Sequence, residues 1–243
     1  MNASHRIVLP ELLDDMAPDD PLAQRSRRDL QRIHIVMRTL ATLRRALARL
    51  RLSPRPRRIL ELGAGDGTLL LRLARTPAAR WPDVELTLLD RQDLIGRQTR
   101  EAYRGLGWQV SVVTTDVLGW AHTRCAQHYD LCVTALFLHH FAEQELGEVL
   151  AAVAARSDAF VACEPRRDAW AWLGSRLVGV IGGNRVTRSD AVSSVAAGFA
   201  GHELSLAWPD PDNRWALEEW RAFPFTHCFS AHALDPLPDV IGS

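Results

Sequence analysis

Between Arg58 and Cys163 the chain alternates between short apolar runs and longer segments in which apolar residues recur every three or four positions. The apolar runs predict five strands, at Arg58–Leu62, Val84–Asp90, Gln109–Thr114, Tyr129–Leu136 and Ala159–Cys163. The periodic segments predict four helices, at Thr68–Arg75, about Gln92–Leu106, Leu118–Ala126 and Ala142–Ala155. This alternation indicates βαβ units and a parallel sheet with helices on both faces. Such sheets bind ligands at the carboxyl ends of their strands.

The segment before the first strand has the pattern of one apolar helix face. Asp20 and Pro21 are typical of a helix start, because Asp caps free N–H groups and Pro fits the first turn. Apolar residues then recur at three- and four-residue steps, at Leu30, Ile33, Met37, Leu40, Leu43 and Leu47. This predicts one long helix or a broken pair, reaching about Leu50. Because Ser53–Pro56 has the composition of a linker, we predict an N-terminal helical extension at 1–55 and a core at 56–243.

The pattern changes after Pro165. Residues 169–181 are apolar and helix-like but interrupted by glycine, and a glycine-rich loop follows at 182–184. Thr187–Asp190 resembles a capping box, which predicts the start of a helix there, running toward Gly198 or Gly201. Two further strands are predicted, at Glu203–Trp208 and Phe223–Ala231, joined by a connection that contains proline and aspartate.

Charge and composition narrow the class of protein. The formal net charge is zero, so the whole chain offers no electrostatic argument for a nucleic acid or an anionic membrane. Twelve arginines lie between Arg25 and Arg58. No aromatic residues interleave with them, so we interpret them as a solvated helix face. The sequence has no Lys, which excludes Schiff-base chemistry from this chain.

Cysteine usage and the ends of the chain predict a cytoplasmic, soluble protein. The four cysteines are widely spaced without a CxxC pair, and Cys132 and Cys163 lie in apolar runs typical of buried thiols. The nine histidines show no metal-binding pattern, so no metal is predicted. Acidic residues near the N-terminus argue against a signal peptide. No apolar run reaches the roughly 18 residues that a membrane span needs.

A glycine-rich turn follows the first predicted strand, with glycine at positions 63, 65 and 67. Such a turn lets backbone approach a ligand closely, and the helix after it presents free N–H groups. A nucleotide-like ligand is therefore expected. A dinucleotide fingerprint would require a third glycine where Thr68 stands, and Glu61 precedes the first glycine by two residues.

The run E-L-G-A-G-D-G, residues 61–67, resembles the first motif of class I S-adenosylmethionine-dependent methyltransferases. The resemblance implies that the acidic strand-end residue and the glycine turn hold the methionine end of the cofactor, through Glu61, Gly63, Ala64, Gly65 and Gly67. Asp90, with its neighbour Arg91, stands where the family binds the ribose. Asp116 stands where the family contacts the adenine amino group, and Val117 where an apolar residue packs on the ring. Either Asp alone is also typical of a turn or helix cap.

The fourth strand runs into Leu138-His139-His140 and resembles the fourth motif of small-molecule members of this family. Many relatives carry Asn where Ala135 stands, so Ala135 and Leu136 are expected to contact the cofactor only through their backbone. A methyl acceptor that loses a proton needs a base, and histidine suits neutral pH. We therefore hypothesise that His139 or His140 is catalytic; the alternative is a helix-start or packing role.

Three other residues carry weaker expectations. Glu164, at the end of the fifth strand, either faces the substrate pocket or caps the turn before Pro165. His34 and His227 are interpreted as core or surface histidines. Residues 8–50 and 166–201 are expected, by resemblance, to form a lid over the acceptor. Its candidate apolar lining is Trp170, Trp172, Leu173, Leu177, Val178 and Ile181.

The predicted fold is α/β, a Rossmann-like, doubly wound, seven-stranded mixed sheet with an antiparallel C-terminal hairpin and an N-terminal helical lid. The predicted function is methyl transfer from S-adenosyl-L-methionine to a small apolar, phenolic, quinone-like or polyketide-derived acceptor, on oxygen or carbon, leaving S-adenosyl-L-homocysteine. The expected partner is this small molecule, without nucleic acid or membrane span; the oligomeric state stays open. Alternatives are an NAD(P)- or flavin-dependent oxidoreductase, a non-catalytic cofactor-binding protein and an RNA methyltransferase.

Overall fold

A computed structural model describes residues 5–17, 19–50, 52–76, 79, 81–123 and 127–234. Its strands are β1 Arg58–Leu62, β2 Glu85–Asp90, β3 Gln109–Thr114, β4 Leu131–Ala135, β5 Ala159–Pro165, β6 Trp215–Ala222 and β7 Thr226–Ala233. Its helices are α1 Pro21–Val36, α2 Thr39–Leu50, α3 Thr68–Ala74, α4 Arg97–Gly105, α5 Val117–His122, α6 Glu143–Ala154, α7 Ala169–Arg176, α8 Arg185–Ala197 and α9 Glu203–Ala207. Short 3₁₀ turns cover Leu138–His140 and Val178–Ile181.

The strands form one seven-stranded sheet in the order β3-β2-β1-β4-β5-β7-β6. The first five strands are parallel, and β7 is antiparallel to both β5 and β6. This confirms the predicted Rossmann-like mixed sheet with an antiparallel C-terminal hairpin. The strand order reverses between β1 and β4, and a sheet of this kind binds ligands at that switch point.

Helices cover both faces of the sheet because apolar side chains alternate along the strands. Ile59 packs into one buried cluster with residues of α2, α3 and α4, whereas Leu60 and Leu62 pack into a second cluster with residues of α5, α6 and α9. Successive strand residues point to opposite faces, so both faces need cover. The carboxyl ends of β1, β2 and β4 are thereby held rigidly at one edge.

The N-terminal apolar stripe belongs to a broken pair of helices. α1 ends before Met37, and Arg38 takes a left-handed conformation with φ of 54° before α2 begins. The apolar face of α2, including Leu43 and Leu47, packs into the core. The buried residues of α1 are instead small or polar, and its apolar residues face a cavity.

The predicted strand Glu203–Trp208 is wrong, because this segment is helix α9 followed by its cap. Its alternating pattern is misleading: Leu206 is 85% exposed, and Leu204 and Trp208 are buried at helical spacing. The first hairpin strand is β6, which lies in the predicted connection. β6 is an edge strand with much polar sequence and only partial burial, so its apolar signal is weak. The second strand is close to its prediction, beginning at Thr226 rather than Phe223.

Several element boundaries also differ from prediction. The prediction that a capping box at Thr187–Asp190 starts a helix is wrong, because Asn184 caps α8 and the helix begins at Arg185. α4 begins only at Arg97 after a loop. Residues 124–126, predicted as the end of a helix and including Cys125, lie outside the described residues. Three other cysteines are free and buried: Cys132, Cys163 and Cys228.

No helix in the described part of the chain combines the length and apolar character needed to span a bilayer.

Candidate active site

A cavity of about 680 Å³ lies at the carboxyl ends of the parallel strands, between the sheet and the helices α1, α7 and α8. All of the predicted site residues except Gly67 line it: Glu61, Gly63, Ala64, Gly65, Asp90, Arg91, Asp116, Val117, Ala135, Leu136, His139 and His140. The fold therefore gathers residues from four strand ends around one space. Its size is within the range of pockets that bind small molecules.

The glycine turn needs glycine at each of its three positions. Gly63, Gly65 and Gly67 have φ values of 67°, 54° and 69°, which are left-handed conformations that favour glycine. A Cβ at Gly63 would also lie only 2.4 Å from Cδ2 of Phe137. Gly67 lies behind the cavity, where its carbonyl accepts a hydrogen bond from the Tyr103 hydroxyl at 2.8 Å. The turn thus brings bare backbone to the cavity wall.

Glu61 is the most unusual group in the site. Its side chain is buried in β1, and its Oε2 atom has no hydrogen-bond partner among the described residues. Burial, together with the nearby carboxylates of Asp66 and Asp90, raises the pKa of Glu61 well above its ordinary value. A buried carboxylate without a donor is unfavourable. The site therefore has room at Glu61 for a cationic or N–H-bearing ligand group.

Asp90 ends β2 and is fixed by backbone on both sides. The N–H of Gly65 donates to Oδ2 at 2.8 Å, and the N–H of Gln92 donates to Oδ1 at 3.0 Å. Each oxygen keeps a further lone pair for a ligand hydroxyl. The neighbouring Arg91 turns away from Asp90, and its guanidinium donates to the carbonyl of Asp14 at 2.7 Å.

The remaining predicted cofactor residues lie along the rim. Asp116 caps α5, since its Oδ1 accepts hydrogen bonds from Leu118 and Gly119, which fits the cap alternative. Val117 is buried against the cavity beside it. At the end of β4 the chain turns sharply, with Leu136 at φ of 55°. Ala135 and Leu136 both line the cavity at this turn.

His139 lies between two carboxylates. Nδ1 is 2.8 Å from Oε2 of Glu164, and Nε2 is 3.3 Å from Oε1 of Glu11. Burial alone would lower its pKa, but these hydrogen bonds and charges raise the pKa of His139 to about 9. Glu164 also accepts the N–H groups of Phe137 and Leu138, so it caps this 3₁₀ turn rather than facing the cavity. His139 is therefore an imidazolium at neutral pH.

His140 is the more accessible of the two histidines. Its Nδ1 lies 3.3 Å from Oδ2 of Asp14, and its ring centroid is 4.3 Å from that of His139. Burial raises the pKa of Asp14, but the hydrogen bond and the charge of His140 lower it by more, so that the pKa of Asp14 lies below its ordinary value. With Nδ1 donating to Asp14, Nε2 is the nitrogen that can accept a proton.

Glu11 and Asp14 are functional residues that sequence reasoning missed. They belong to an irregular N-terminal segment without periodicity, and no sequence signal links them to histidines more than 120 positions away. Glu11 also accepts a short hydrogen bond from the hydroxyl of Ser194 on α8. Burial opposes ionisation, but the bond from His139 holds the pKa of Glu11 below its ordinary value.

The segment that carries them, residues 5–17, forms a strap across the cavity. Two successive N–H groups, of Leu12 and Leu13, donate to the carboxylate of Asp190 on α8 at 2.9 and 3.1 Å. Arg6 donates to the carbonyl of Ala197 at the end of the same helix. The strap and α8 therefore close the cavity together.

The half of the cavity beyond the histidines is apolar. Its wall combines α1 and its cap, the α7–α8 region and the turn between β6 and β7, through Leu30, Ile33, Met37, Val178, Ile181 and Phe225. Of the predicted lining, Leu177 also contributes, but Trp170, Trp172 and Leu173 do not. Trp170 and Leu173 point outward on α7. His34 also faces this space, and burial lowers its pKa to about 4.

The central part of the chain resembles a known protein family. Residues 59–156 match the family model described as "Methyltransferase domain". No curated protein matches the sequence. The matched residues include the glycine turn, both strand-end aspartates and the histidine pair. This central part of the chain is therefore similar to a methyltransferase domain.

Solved structures extend the likeness beyond the matched residues. The plantazolicin methyltransferase BpumL, in complex with a triazolic desmethylPZN analog and SAH, superposes with a TM-score of 0.65, at 13% identity over 88% of this chain and 92% of that chain. Magnesium protoporphyrin IX methyltransferase (ChlM) from Synechocystis PCC 6803, with bound SAH, gives a TM-score of 0.53, at 14% identity over 91% of each chain. The pyocyanin biosynthetic protein PhzM gives 0.53, at 18% identity over 88% of this chain and 59% of that chain. These similarities establish a methyltransferase-type Rossmann-like fold.

Proposed function

We propose that this chain transfers the methyl group of S-adenosyl-L-methionine to a small apolar acceptor, and that Glu61 binds the amino group of the cofactor. The observation that carries the proposal is the unpartnered, buried Oε2 of Glu61 at the cavity wall. An ammonium group would supply both the charge and the N–H donors that this carboxylate lacks. A pyrophosphate would instead meet like charge there.

The other cofactor contacts follow from the same wall. The glycine turn admits the amino-acid end of the cofactor, because Gly65 leaves open space where a Cβ would stand. Asp90 is oriented by Gly65 and Gln92 to accept ribose hydroxyl groups. Asp116 and Val117 lie where the adenine ring would bind. The strand-end backbone at Ala135 and Leu136 completes the set.

Methyl transfer does not require the protein to protonate a leaving group. The bound sulfonium supplies an activated methyl group and its own leaving group. The chain has to align the acceptor, exclude water and remove a proton from an oxygen or carbon nucleophile. We assign the proton to Nε2 of His140, with Asp14 orienting the ring. His139, held as an imidazolium between Glu11 and Glu164, positions His140 and fixes the strap.

The acceptor class is inferred from the apolar half of the cavity. Side chains such as Ile33, Met37 and Val178 line it, and the two histidines that could take a proton lie at one end. An acceptor with a hydrophobic body and one hydroxyl or acidic carbon near that end fits best. Phenolic, quinone-like and polyketide-derived molecules have this form.

The alternatives have less support. A nicotinamide or flavin enzyme would need a third glycine in the dinucleotide fingerprint. This chain has Thr68 at that position, where α3 begins. RNA methylation is favoured only by the arginines of α1 and α2. A non-catalytic protein would have no reason to keep a base candidate, His140, oriented by a carboxylate inside the cavity.

The test is methyl transfer to a cell extract. The protein is incubated with methyl-labelled S-adenosylmethionine and an extract, which is then separated into solvent-extractable small molecules, protein and RNA. We expect label in the small-molecule fraction, and none when His140 is replaced by Ala. Label confined to RNA would establish the RNA alternative. Absence of label from every fraction, with cofactor binding retained, would establish the non-catalytic alternative.

A further inference from the structure

The region between β5 and α8 exposes an unusual amount of apolar surface. Five residues of α7 and the following 3₁₀ turn form an apolar stripe on its outer side: Trp170, Leu173, Leu177, Val180 and Ile181. Trp170 is 70% exposed and Val180 is 82% exposed. Scattered exposed apolar residues are ordinary, but a contiguous stripe with a Trp marks an interaction surface.

The apolar stripe borders the acceptor half of the cavity. Leu177 and Ile181 belong to the stripe and also line the cavity. On the opposite rim, Val36 at the end of α1 lines the cavity and is exposed, and its neighbour Ile35 is 64% exposed. An apolar molecule could therefore pass from the stripe into the cavity without crossing polar protein surface.

The segment that carries the apolar stripe contains charges of one sign, between Asp168, which caps α7, and the buried Asp190. Residues 169–189 contain three arginines and neither Asp nor Glu. Arg176, Arg185 and Arg188 are all exposed, and none forms an ion pair within the described residues. Because the net charge of the chain is zero, this is a local excess of positive charge on a balanced molecule.

We propose that the apolar stripe and its three arginines dock the protein on an anionic lipid bilayer, from which the apolar acceptor enters the cavity. A Trp-bearing apolar face flanked by Arg is the composition that lies in a membrane interface. Each Arg near an anionic surface adds attraction that salt screens. A second copy of this chain is a poorer occupant, because a two-fold contact would bring the same arginines together.

The entry of the acceptor from the bilayer into the cavity rests on the proposed function. The docking itself depends only on the apolar stripe and its three arginines. The test is co-sedimentation of the whole protein with vesicles of phosphatidylcholine and phosphatidylglycerol, compared with pure phosphatidylcholine. We expect binding to the anionic vesicles that weakens with added salt. The double variant Trp170→Ser/Val180→Ser should bind at least about tenfold more weakly, because both side chains are exposed and point away from the cavity lining.

Two matched controls separate docking from general surface effects. Leu206→Ser removes a leucine that is 85% exposed on α9 and should leave vesicle binding unchanged. Arg176→Glu/Arg188→Glu should lower binding by about tenfold or more, whereas Arg104→Glu on α4 should not. Circular dichroism and thermal unfolding, measured on every variant, verify that the fold is intact.

Three results would overturn the docking proposal. The first is a folded wild-type protein that does not sediment with anionic vesicles. The second is equal vesicle binding by wild type and Trp170→Ser/Val180→Ser. The third is a dimer in sedimentation velocity that the same double variant dissociates, without vesicle binding, since a second copy would then be the occupant. Failure to bind S-adenosylmethionine, with vesicle binding retained, would refute the proposed function and leave the docking standing.

Discussion

At the scale of single residues, Glu61 lowers the stability of the cofactor-free protein and strengthens the binding of a cationic ligand. Its carboxylate is buried with one oxygen unpartnered, so the folded, cofactor-free protein disfavours the ionised form. A cationic ligand reverses this preference, because the charge then gains a partner. The residue is therefore unfavourable for folding and favourable for binding, as strained functional residues often are.

Replacing Glu61 by Gln should separate these two effects. Because the pKa of Glu61 is raised on folding, ionisation lowers the free energy of unfolding as pH rises above the ordinary value of 4.5. At pH 8, Glu61→Gln should be about 1–3 kcal/mol more stable than wild type in denaturant unfolding, and at pH 4 the two should be close. Its affinity for S-adenosylmethionine should fall at least about tenfold.

The exposed Glu85 at the start of β2 offers the matched control for this variant. Glu85→Gln should change neither stability nor cofactor affinity appreciably. If Glu61→Gln bound S-adenosylmethionine as tightly as wild type does, Glu61 would not hold the amino group.

His139 predicts a loss of stability with rising pH in a higher pH range than Glu61 does. Its pKa is raised to about 9, so its ion pairs with Glu11 and Glu164 contribute fully below about pH 6.5 and are lost as pH rises through 9. We expect this contribution to be on the order of 3 kcal/mol. Urea unfolding between pH 6.5 and 9 should show the stability of wild type decreasing more steeply than that of His139→Gln. Parallel curves for the two proteins would contradict the charged His139.

His140 is the residue to which we assign the proton transfer. Replacing it by Ala should lower the rate of methyl transfer by about a hundredfold or more, as removal of a general base does, while cofactor affinity stays within about twofold. His122, an exposed histidine on α5, supplies the control. If wild type and His140→Ala turned over equally fast in a labelled-methyl assay, His140 would not be the general base.

At the scale of elements, the glycine turn depends on close packing as well as on backbone conformation. Gly63 has a φ of 67°, and a Cβ there would overlap the ring of Phe137. Gly63→Ala should therefore lower stability by about 1–3 kcal/mol and weaken cofactor binding. Gly147→Ala, at an open position within α6, should instead stabilise by about 0.5–1 kcal/mol. Thermal unfolding of both variants tests the contrast.

Asp190 is one of several side chains that hold the N-terminal strap. Asp190 accepts the N–H groups of Leu12 and Leu13, so Asp190→Ala leaves two donors without their acceptor. Hydrogen–deuterium exchange of residues 5–17 should become about tenfold faster or more. Ser193→Ala on the same helix touches only its own helix and should leave the exchange unchanged. No change in Asp190→Ala would show that the strap is held elsewhere.

Elements with a strong local signal could be predicted from the sequence. β1 and β3 have the predicted bounds. β1 is a buried apolar run between turn residues, whereas β3 lies exposed at the sheet edge and alternates polar residues with Val110 and Val112. β6 was not predicted, because Glu218 and Glu219 interrupt its apolar pattern in the middle of the strand. α9 was missed because the Leu204–Leu206 alternation resembles a strand, although Glu219 of β6 accepts hydrogen bonds from the first turn of this helix.

At the scale of the whole molecule, the cofactor half of the site was predictable and the acceptor half was not. The cofactor half is built from strand ends that follow one another along the chain, so their convergence follows from parallel topology. The acceptor half joins the strap, α1 and α8, which are remote in sequence and carry no motif. Glu11 and His139 meet only because the strap crosses the cavity. The division of the chain at 55/56 stays a prediction.

The most direct test of the whole proposal is a calorimetric titration of the wild-type protein with S-adenosylmethionine, S-adenosylhomocysteine and NADH. If the cavity holds an amino-acid-bearing sulfonium cofactor at Glu61, the first two ligands should bind with micromolar affinity and NADH should not bind. Preferential binding of NADH, or no binding of the first two by the folded protein, would contradict the assignment of this site to methyl transfer.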